Sequence, residues 1–258
     1  MRFALIAVAF SSVLFFGMLG LLEVGRRIGA RRLAQEADGA QVRVGVVEGA
    51  VFGLLGLLLA FSFSGAAARF DARRQLIVQE TNAISTAWLR LALLPPDAQP
   101  GIREEMRRYL DARLSAYQSL PDLALAEREL ARSLQIKDEL WAKAIAVAHT
   151  DAGDRGRALV LSALNDMFEI ATVRTLATRM HPPFVVFCML ALLAFTGALL
   201  AGLGMAGGRT RSWVHMVTFA ATIAVAAYVI IDLEFPRVGL IRVDEFDRAL
   251  VELRNSMK

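Results

Sequence analysis

The sequence predicts an all-α, polytopic membrane protein with four transmembrane helices in two pairs and a helical extramembrane bundle between the pairs. Three observations lead to this prediction. Hydrophobic residues make up 56% of the chain, and its mean hydropathy of +0.47 is too high for an ordinary soluble domain. Four apolar runs are long enough to cross a bilayer. No stretch keeps the alternation of apolar and polar residues that is typical of a strand.

The apolar runs divide the chain into four regions. The runs are Phe3 to Leu22, Gly45 to Ala68, Phe184 to Met205 and Trp213 to Leu233. They predict a first transmembrane pair over 1–68, an extramembrane bundle over 69–182, a second transmembrane pair over 183–233 and an amphipathic tail over 234–258. The lipid bilayer is therefore the first expected partner of this chain.

The charges beside the spans predict the orientation of the chain. Four arginines closely follow the first span: Arg26, Arg27, Arg31 and Arg32. The short loop 207–212 carries two more. Because cytoplasmic loops collect Lys and Arg, these two loops place the N-terminus, the bundle and the tail outside. Other arginines, such as Arg69 and Arg179, lie near the opposite ends of the spans and oppose this assignment.

Small residues recur along one side of the second span. They are Gly45, Gly49, Gly53, Gly56 and Ala60. Such spacing lets the backbone of another helix approach closely in lipid, where packing drives helix association.

Another side of the same helix is apolar in its middle and charged at both ends. At helical spacing it carries Glu48, Phe52, Leu55, Leu59, Ser62, Ala66, Arg69, Arg73, Leu76 and Glu80. One interpretation is the lining or gate of a pore with a hydrophobic constriction. The other is that Glu48 and Arg69 mark the two membrane boundaries and reach for lipid headgroups.

Beyond the membrane, the second helix continues into the bundle without a breaker. Its apolar positions recur every seven residues, at Phe70, Ile77, Ile84 and Leu91, and a double proline at 95–96 ends it. Three more bundle helices are predicted: 102–120, a helix capped at Ser119 and Pro121 that runs to His149, and 158–179. A short amphipathic helix near the C-terminus carries Phe246, Leu250 and Leu253 on one side.

Polar residues on the helices that join the spans are candidates for a network. They are Asn82 and Arg90 after the second span, Asn165, Glu169 and Arg174 before the third, and Asp232 and Glu234 at the end of the fourth. The first five form either an ion vestibule or gate beside the membrane, or a solvated or salt-bridged bundle. The two carboxylates form either a cation site or a boundary marker.

Residues suited to enzymatic or metal chemistry are scarce. The single cysteine, Cys188, lies within a span, and His149, His181 and His215 have no second ligand at metal-binding spacing. The region between Arg69 and Arg179 carries 16 basic and 15 acidic residues, so it offers no basic face for nucleic acid. We therefore predict no catalytic, cofactor or metal site, and an enzyme is the function class that the sequence supports least.

Four segments resemble the bacterial bestrophin-like domain family, whose molecular function is largely uncharacterised. They are 48–95, LNDMFEIATVRT at 164–175, HPP at 181–183, and DLEFPRVGLIRVD at 232–244. The family name implies a remote relationship to bestrophins, which are pentameric anion channels with two pairs of spans around a helical region. The resemblance thus implies a multi-pass protein of the bacterial cytoplasmic (inner) membrane, a homo-oligomer (a pentamer if the relationship holds) and an inorganic ion as ligand.

The sequence departs from the bestrophin pattern in three respects. Phe52 and Phe63 lie three turns apart, whereas bestrophin pore phenylalanines lie about one turn apart. The acidic calcium clasp of animal bestrophins has no clear counterpart. Bestrophins also keep the middle region in the cytoplasm, which is opposite to the orientation that the charges predict.

Two functional hypotheses follow from these patterns. The first is an oligomeric ion channel, selective for anions if it follows the bestrophins, with the second span lining the path. The second is a non-conducting membrane scaffold or sensor whose helical bundle recruits a partner protein.

Overall fold

A computed structural model of the chain describes residues 2–35, 44–120, 122–149, 155–207, 213–237 and 239–257. These residues are helical or lie in turns, and none of them forms a strand, which confirms the all-α prediction. The helices are α1 (Arg2–Gln35), α2 (Val44–Arg90), α3 (Gln99–Gln118), α4 (Leu123–His149), α5 (Arg155–Ala177), α6 (Phe184–Gly204), α7 (Trp213–Glu234) and α8 (Asp244–Ser256). Short 3₁₀ turns follow α2 at Leu91–Leu93 and α6 at Met205–Gly207.

Four of these helices are long and apolar enough to cross a membrane, as the sequence predicts. The helical segments are Leu5–Gln35, Gly45–Leu93, Phe184–Gly207 and Trp213–Glu234. The second is unusual because α2 has 47 residues, or about 70 Å at 1.5 Å per residue, so it extends well beyond a bilayer.

The chain divides into two compact units. The first comprises Met1–Arg69 and His181–Phe235, and the second comprises Phe70–Met180 and Pro236–Lys258. Helix α2 contributes its apolar part to the first unit and its amphipathic part to the second.

In the first unit, α1 packs closely against α6 and α7. A Cβ atom added to Gly25 would lie 2.1 Å from the carbonyl oxygen of Leu199, and one added to Gly202 would lie 2.2 Å from that of Leu22. These two backbones therefore approach as only glycine permits. This pair of glycines was not predicted from the sequence. One side of α7 is lined by alanines that pack closely, because Ala220, Ala224 and Ala227 are buried.

In the second unit, the amphipathic part of α2 packs with α3, α4, α5 and α8 around one apolar core. Ile77, Ile84 and Leu91 are each at most 1% exposed, so the seven-residue repeat points into this core. Their main neighbours come from α3, α4 and α5 and include Met106, Leu110, Leu140, Leu164 and Met167. Burial of this many large side chains is the main stabilising contribution to the unit.

The helix boundaries differ from prediction by a few residues. Helix α3 begins at Gln99 and α5 at Arg155, each three residues earlier than expected. The cap of α4 is Asp122 rather than Ser119, since a carboxylate oxygen of Asp122 accepts a hydrogen bond of 3.1 Å from the Leu125 amide. Pro121, most of the turn before α5 and the arginines of loop 207–212 lie outside the described residues.

Candidate functional site

The apolar half of the predicted pore stripe faces other helices of the same chain. Leu55 is 2% exposed, and Leu59 and Ser62 are partly buried. The ring of Phe52 packs edge-to-face on Phe219 of α7, with centroids 5.6 Å apart, and lies against Gly197 of α6. The stripe is therefore a packing surface within the first unit.

The carboxylate of Glu48, at the start of this stripe, lies against the backbone of α6. A Cβ atom added to Gly204 would lie 3.4 Å from one of its oxygens. Glu48 is thus partly covered by its own chain.

The opposite side of α2 is not covered by the other residues that the structure describes. We call it the open face of α2 and define it by Gly49, Gly53, Gly56, Leu57 and Phe61. Among the described residues, a Cβ atom added at any of the three glycines would have no atom of another helix within 4 Å, and Leu57 and Phe61 are 54% and 68% exposed. Only 6% of the apolar window of α2 is buried, against 22% to 33% for the other three spans. The second span is therefore the one that the chain covers least.

Arg69, the last residue of the stripe in the first unit, belongs to a small polar cluster. We call Arg69, His181 and Glu234 the Glu234 cluster. The Nε atom of Arg69 donates to Oε1 of Glu234 over 2.8 Å, and Nδ1 of His181 lies 3.5 Å from Oε2 of the same carboxylate. His181 also stacks on Phe235, with centroids 4.6 Å apart. The carboxylate is 1% exposed and the guanidinium 33% exposed, so the cluster joins a buried anion to a partly exposed cation.

The other candidate carboxylate at the end of α7 is also paired. Asp232 is 4% exposed and faces the hydroxyl of Tyr228, 3.5 Å away. Both carboxylates that the sequence offered as a cation site are therefore buried and have protein partners.

A larger polar assembly lies inside the second unit. We call it the buried network, and it consists of Glu80, Arg113, Tyr117, Arg174, Arg237 and Asp247. Its centre is Glu80, which is fully buried. Oε1 of Glu80 accepts a hydrogen bond of 3.0 Å from Nε of Arg113, and Oε2 accepts from Arg174 and from the Tyr117 hydroxyl. Each oxygen of this carboxylate thus has a donor, which a buried charge requires.

The buried network continues from Arg174 to the C-terminal segment. Arg174 donates to Oδ1 of Asp247 over 2.7 Å, and Arg237 contacts both oxygens of the same carboxylate at 2.7 and 3.2 Å. Such two-pronged contacts are the strong form of an arginine–carboxylate pair. Helices α2, α3, α5 and α8 and the segment before α8 are therefore joined through two carboxylates.

Tyr117 is surrounded by the cations of this network. The guanidinium carbons of Arg174, Arg113 and Arg237 lie 3.7, 4.9 and 5.0 Å from the centre of its ring. Burial raises the pKa of the Tyr117 hydroxyl, so it stays protonated and donates to Glu80. The ring face stabilises the three cations while the hydroxyl satisfies the anion.

Comparison with known proteins identifies the family to which this arrangement belongs. The sequence profile of the Bestrophin-like domain matches residues 4–245, which is nearly the whole chain. The chain belongs to the bestrophin-like family. The resemblance seen in the sequence is thereby confirmed. No curated protein matches the chain in sequence.

The fold of this bestrophin-like protein is similar to two crystal structures of single-residue variants of a bacterial bestrophin homologue from Klebsiella pneumoniae. The first has a TM-score of 0.68 at 16% identity, with 94% of this chain and 97% of that chain covered. The second has a TM-score of 0.63 at 16% identity, with 93% and 98% covered. At this identity, the likeness shows a shared fold.

Of the polar residues that the sequence singled out in the bundle, the bestrophin-like fold brings two together directly. Glu80 and Arg174 meet in the buried network. Arg73 is buried and donates to the carbonyl oxygens of Ala177, the last residue of α5, and of Met180 beyond it, so it caps that helix. Arg90 donates to the carbonyl oxygen of Leu159 over 3.0 Å.

The remaining candidates lie on the surface. Asn82, Asn165 and Glu169 are exposed. Their exposure within one chain is compatible with both interpretations that the sequence left open for these helices, so the role of these three residues stays a prediction.

Four members of the buried network were missed in the sequence: Arg113, Tyr117, Arg237 and Asp247. A signal existed for Arg113, because it stands one helical turn from both Tyr109 and Tyr117 on the apolar face of α3. A similar signal existed for Asp247, three residues before the buried Leu250. A charge on an apolar face predicts a buried partner, although it does not identify that partner.

The described residues offer no evident metal centre. Within them, no three His, Cys, Asp or Glu side chains are grouped so that they would hold a metal ion.

Proposed function

We propose that this bestrophin-like protein is a channel-type membrane protein in which several copies surround an ion path, with α2 of each copy lining it. The observation that carries this proposal is the open face of α2. The chain covers α1, α6 and α7 far more than α2, although α2 is an apolar helix of membrane-spanning length. A glycine-rich helix face without an internal neighbour is typical of packing between helices of separate chains.

The stripe packs within the chain, so we propose that the open face of α2, and not the stripe, lines the path. Phe52 and Leu55 are engaged by α6 and α7 or buried, so they are poor candidates for a constriction. The open face is uncharged and combines glycines with Leu57 and Phe61. Such a surface would form a hydrophobic constriction, which gates ions by excluding water.

The family and the fold support anions as the permeating species and a closed ring, a pentamer, as the assembly. The bestrophins that the family name refers to are pentameric anion channels, and the fold is shared with a bacterial bestrophin homologue. In a ring, each copy contributes the same surface, so one open face per chain is sufficient to enclose an axis.

Purified protein reconstituted into liposomes tests the proposal. We expect chloride flux above that of empty liposomes, chloride flux exceeding potassium flux, and a detergent-corrected mass of about five chains. Absence of flux for both ions would contradict the channel. Absence of flux together with a monomeric mass would support the scaffold or sensor instead.

The orientation in the bacterial inner membrane is tested separately. A reporter fused after Leu120 reads out the side of the membrane that holds the bundle. An external signal agrees with the arginines that follow the first span, and a cytoplasmic signal agrees with the arrangement in bestrophins.

A further inference from the structure

The second unit contains a cavity beside the buried network. Its volume is about 380 Å³, and it lies between the end of α3, the segment before α8 and α8 itself. Tyr117, Arg237 and Asp247 of the buried network form one wall. Arg242, Asp244 and Arg248 form most of the rest.

The charges around this cavity do not balance. The buried network and the cavity wall together hold five guanidinium groups, those of Arg113, Arg174, Arg237, Arg242 and Arg248. They are opposed by three carboxylates, those of Glu80, Asp244 and Asp247. The excess is two positive charges. One of them belongs to the buried network, in which Arg174 and Arg237 are only 4% and 13% exposed. Positive charge removed from water requires an anion close by.

The arginines of the outer wall have donors to spare. Arg248 is exposed and has no hydrogen-bond or ion-pair partner among the described residues. Arg242 makes only longer contacts, 3.3 Å to the carbonyl oxygen of Gly239 and 3.4 Å to Asp244. A guanidinium group has five N–H donors in a planar fork that matches the oxygens of phosphate, so most of these donors are unused.

A metal ion does not suit this cavity. Both carboxylates in its wall already contact arginines, Asp247 at 2.7 Å and Asp244 at 3.4 Å, and an added cation would meet three more positive charges. A single halide would balance one of the two excess charges and leave most donors unsatisfied.

We propose that this cavity binds a phosphate-type dianion, held by Arg237, Arg242 and Arg248. Two negative charges equal the local excess, and three guanidinium forks supply enough donors for a tetrahedral group. The cavity exceeds the size of one phosphate, so it also accepts the first atoms of a phosphate monoester. The site does not depend on ion conduction, because all of its residues belong to the second unit.

Equilibrium dialysis of the purified full-length protein against radiolabelled inorganic phosphate tests the proposal. Wild type is compared with Arg248→Ala, Arg242→Ala and the control Arg132→Ala, in which an exposed arginine of α4 outside the cavity is removed. We expect saturable binding of one phosphate per chain, affinity weakened about tenfold by either cavity substitution, and no change for the control. Arg242 and Arg248 are both largely exposed, so the two cavity variants are expected to fold.

Competition identifies the source of the phosphate group. At constant ionic strength, sulfate should compete with phosphate and chloride should not. Stronger competition by glycerol 3-phosphate assigns the site to a soluble metabolite, and stronger competition by short-chain phosphatidic acid assigns it to a lipid headgroup. Absence of saturable binding, equal competition by chloride, or equal loss in Arg132→Ala would overturn the proposal, whether or not the protein conducts ions.

Discussion

Helix α2 carries Arg69 and Glu80 three turns apart, and each joins a different polar assembly. The Glu234 cluster is small and contains one partly exposed guanidinium group and one histidine. The buried network contains three guanidinium groups and two carboxylates, and both Glu80 oxygens accept hydrogen bonds. The same stripe of one helix thus supplies a partly exposed ion pair to the first unit and a largely buried network to the second.

The difference shows that charge on a helix face acquires its role from what covers it. The guanidinium group of the Glu234 cluster is one-third exposed, so its ion pair is less sequestered than those of the buried network. The buried network has little access to water, so loss of one member leaves its charged partners buried without a counter-ion or solvation. The two assemblies should therefore respond unequally to equivalent substitutions.

The largest effect is expected for Glu80→Gln. This substitution removes the anion that Arg113 and Arg174 share, and breaking a buried pair in this way costs about 3–5 kcal/mol. Thermal unfolding in detergent, followed by circular dichroism, should show a strongly lowered midpoint. The control is Glu169→Gln, which makes the same replacement of a carboxylate by a carboxamide at an exposed position of α5. It should change the stability by less than about 0.5 kcal/mol. Equal midpoints for Glu80→Gln and wild type would show that the network adds no stability.

A smaller effect is expected for Arg69→Gln. It removes the guanidinium partner of Glu234 but leaves His181 beside that carboxylate, and Arg69 is already one-third exposed. We expect a loss of about 1–2 kcal/mol, below that of Glu80→Gln. The matched control is Arg132→Gln, since Arg132 is 59% exposed and its ion pair with Glu129 lies within α4. A loss as large as that of Glu80→Gln would remove the contrast between the two assemblies.

The smallest effect at neutral pH is expected for Tyr117→Phe, which keeps the ring against the three arginines and removes only the hydroxyl. Oε2 of Glu80 retains Arg174 as a donor, so the cost is about 1 kcal/mol.

The same substitution has a pH signature. Burial raises the pKa of Tyr117 above the value near 10 that it has when unfolded. Its contribution to stability is therefore complete below pH 10 and is lost as the pH rises above 10. The stability of Tyr117→Phe should fall less steeply than that of wild type above pH 10. Some decline should remain, since burial also raises the pKa of Tyr109. Identical slopes for the two proteins would contradict a buried hydroxyl.

The fold was largely predictable because periodicity is local. Hydropathy located the four spans, and the repeat of Ile77, Ile84 and Leu91 identified the core side of the long helix. The close approach of α1 and α6 was not predicted. Gly25 and Gly202 are distant in sequence, and a local pattern does not show that the two glycines meet.

The candidate site was predictable only in part. A helical stripe was correctly traced from Glu48 to Glu80, yet spacing along a helix does not specify what the stripe faces. Phe52 packs on Phe219, and Glu80 binds residues 33 and 94 positions away. Partners at such separations are brought together by tertiary packing, which a short stretch of sequence does not reveal.

The central claim is that the open face of α2 lines an ion path, and chloride flux through liposomes containing Gly53→Trp tests it most directly. Its control is Gly20→Trp, because both glycines lie on apolar helices and, among the described residues, an added Cβ atom at either position would have no atom of another helix within 4 Å. The proposal predicts flux reduced roughly tenfold or more by Gly53→Trp, at equal reconstitution, and flux near wild type for Gly20→Trp. Wild-type flux in Gly53→Trp would contradict it.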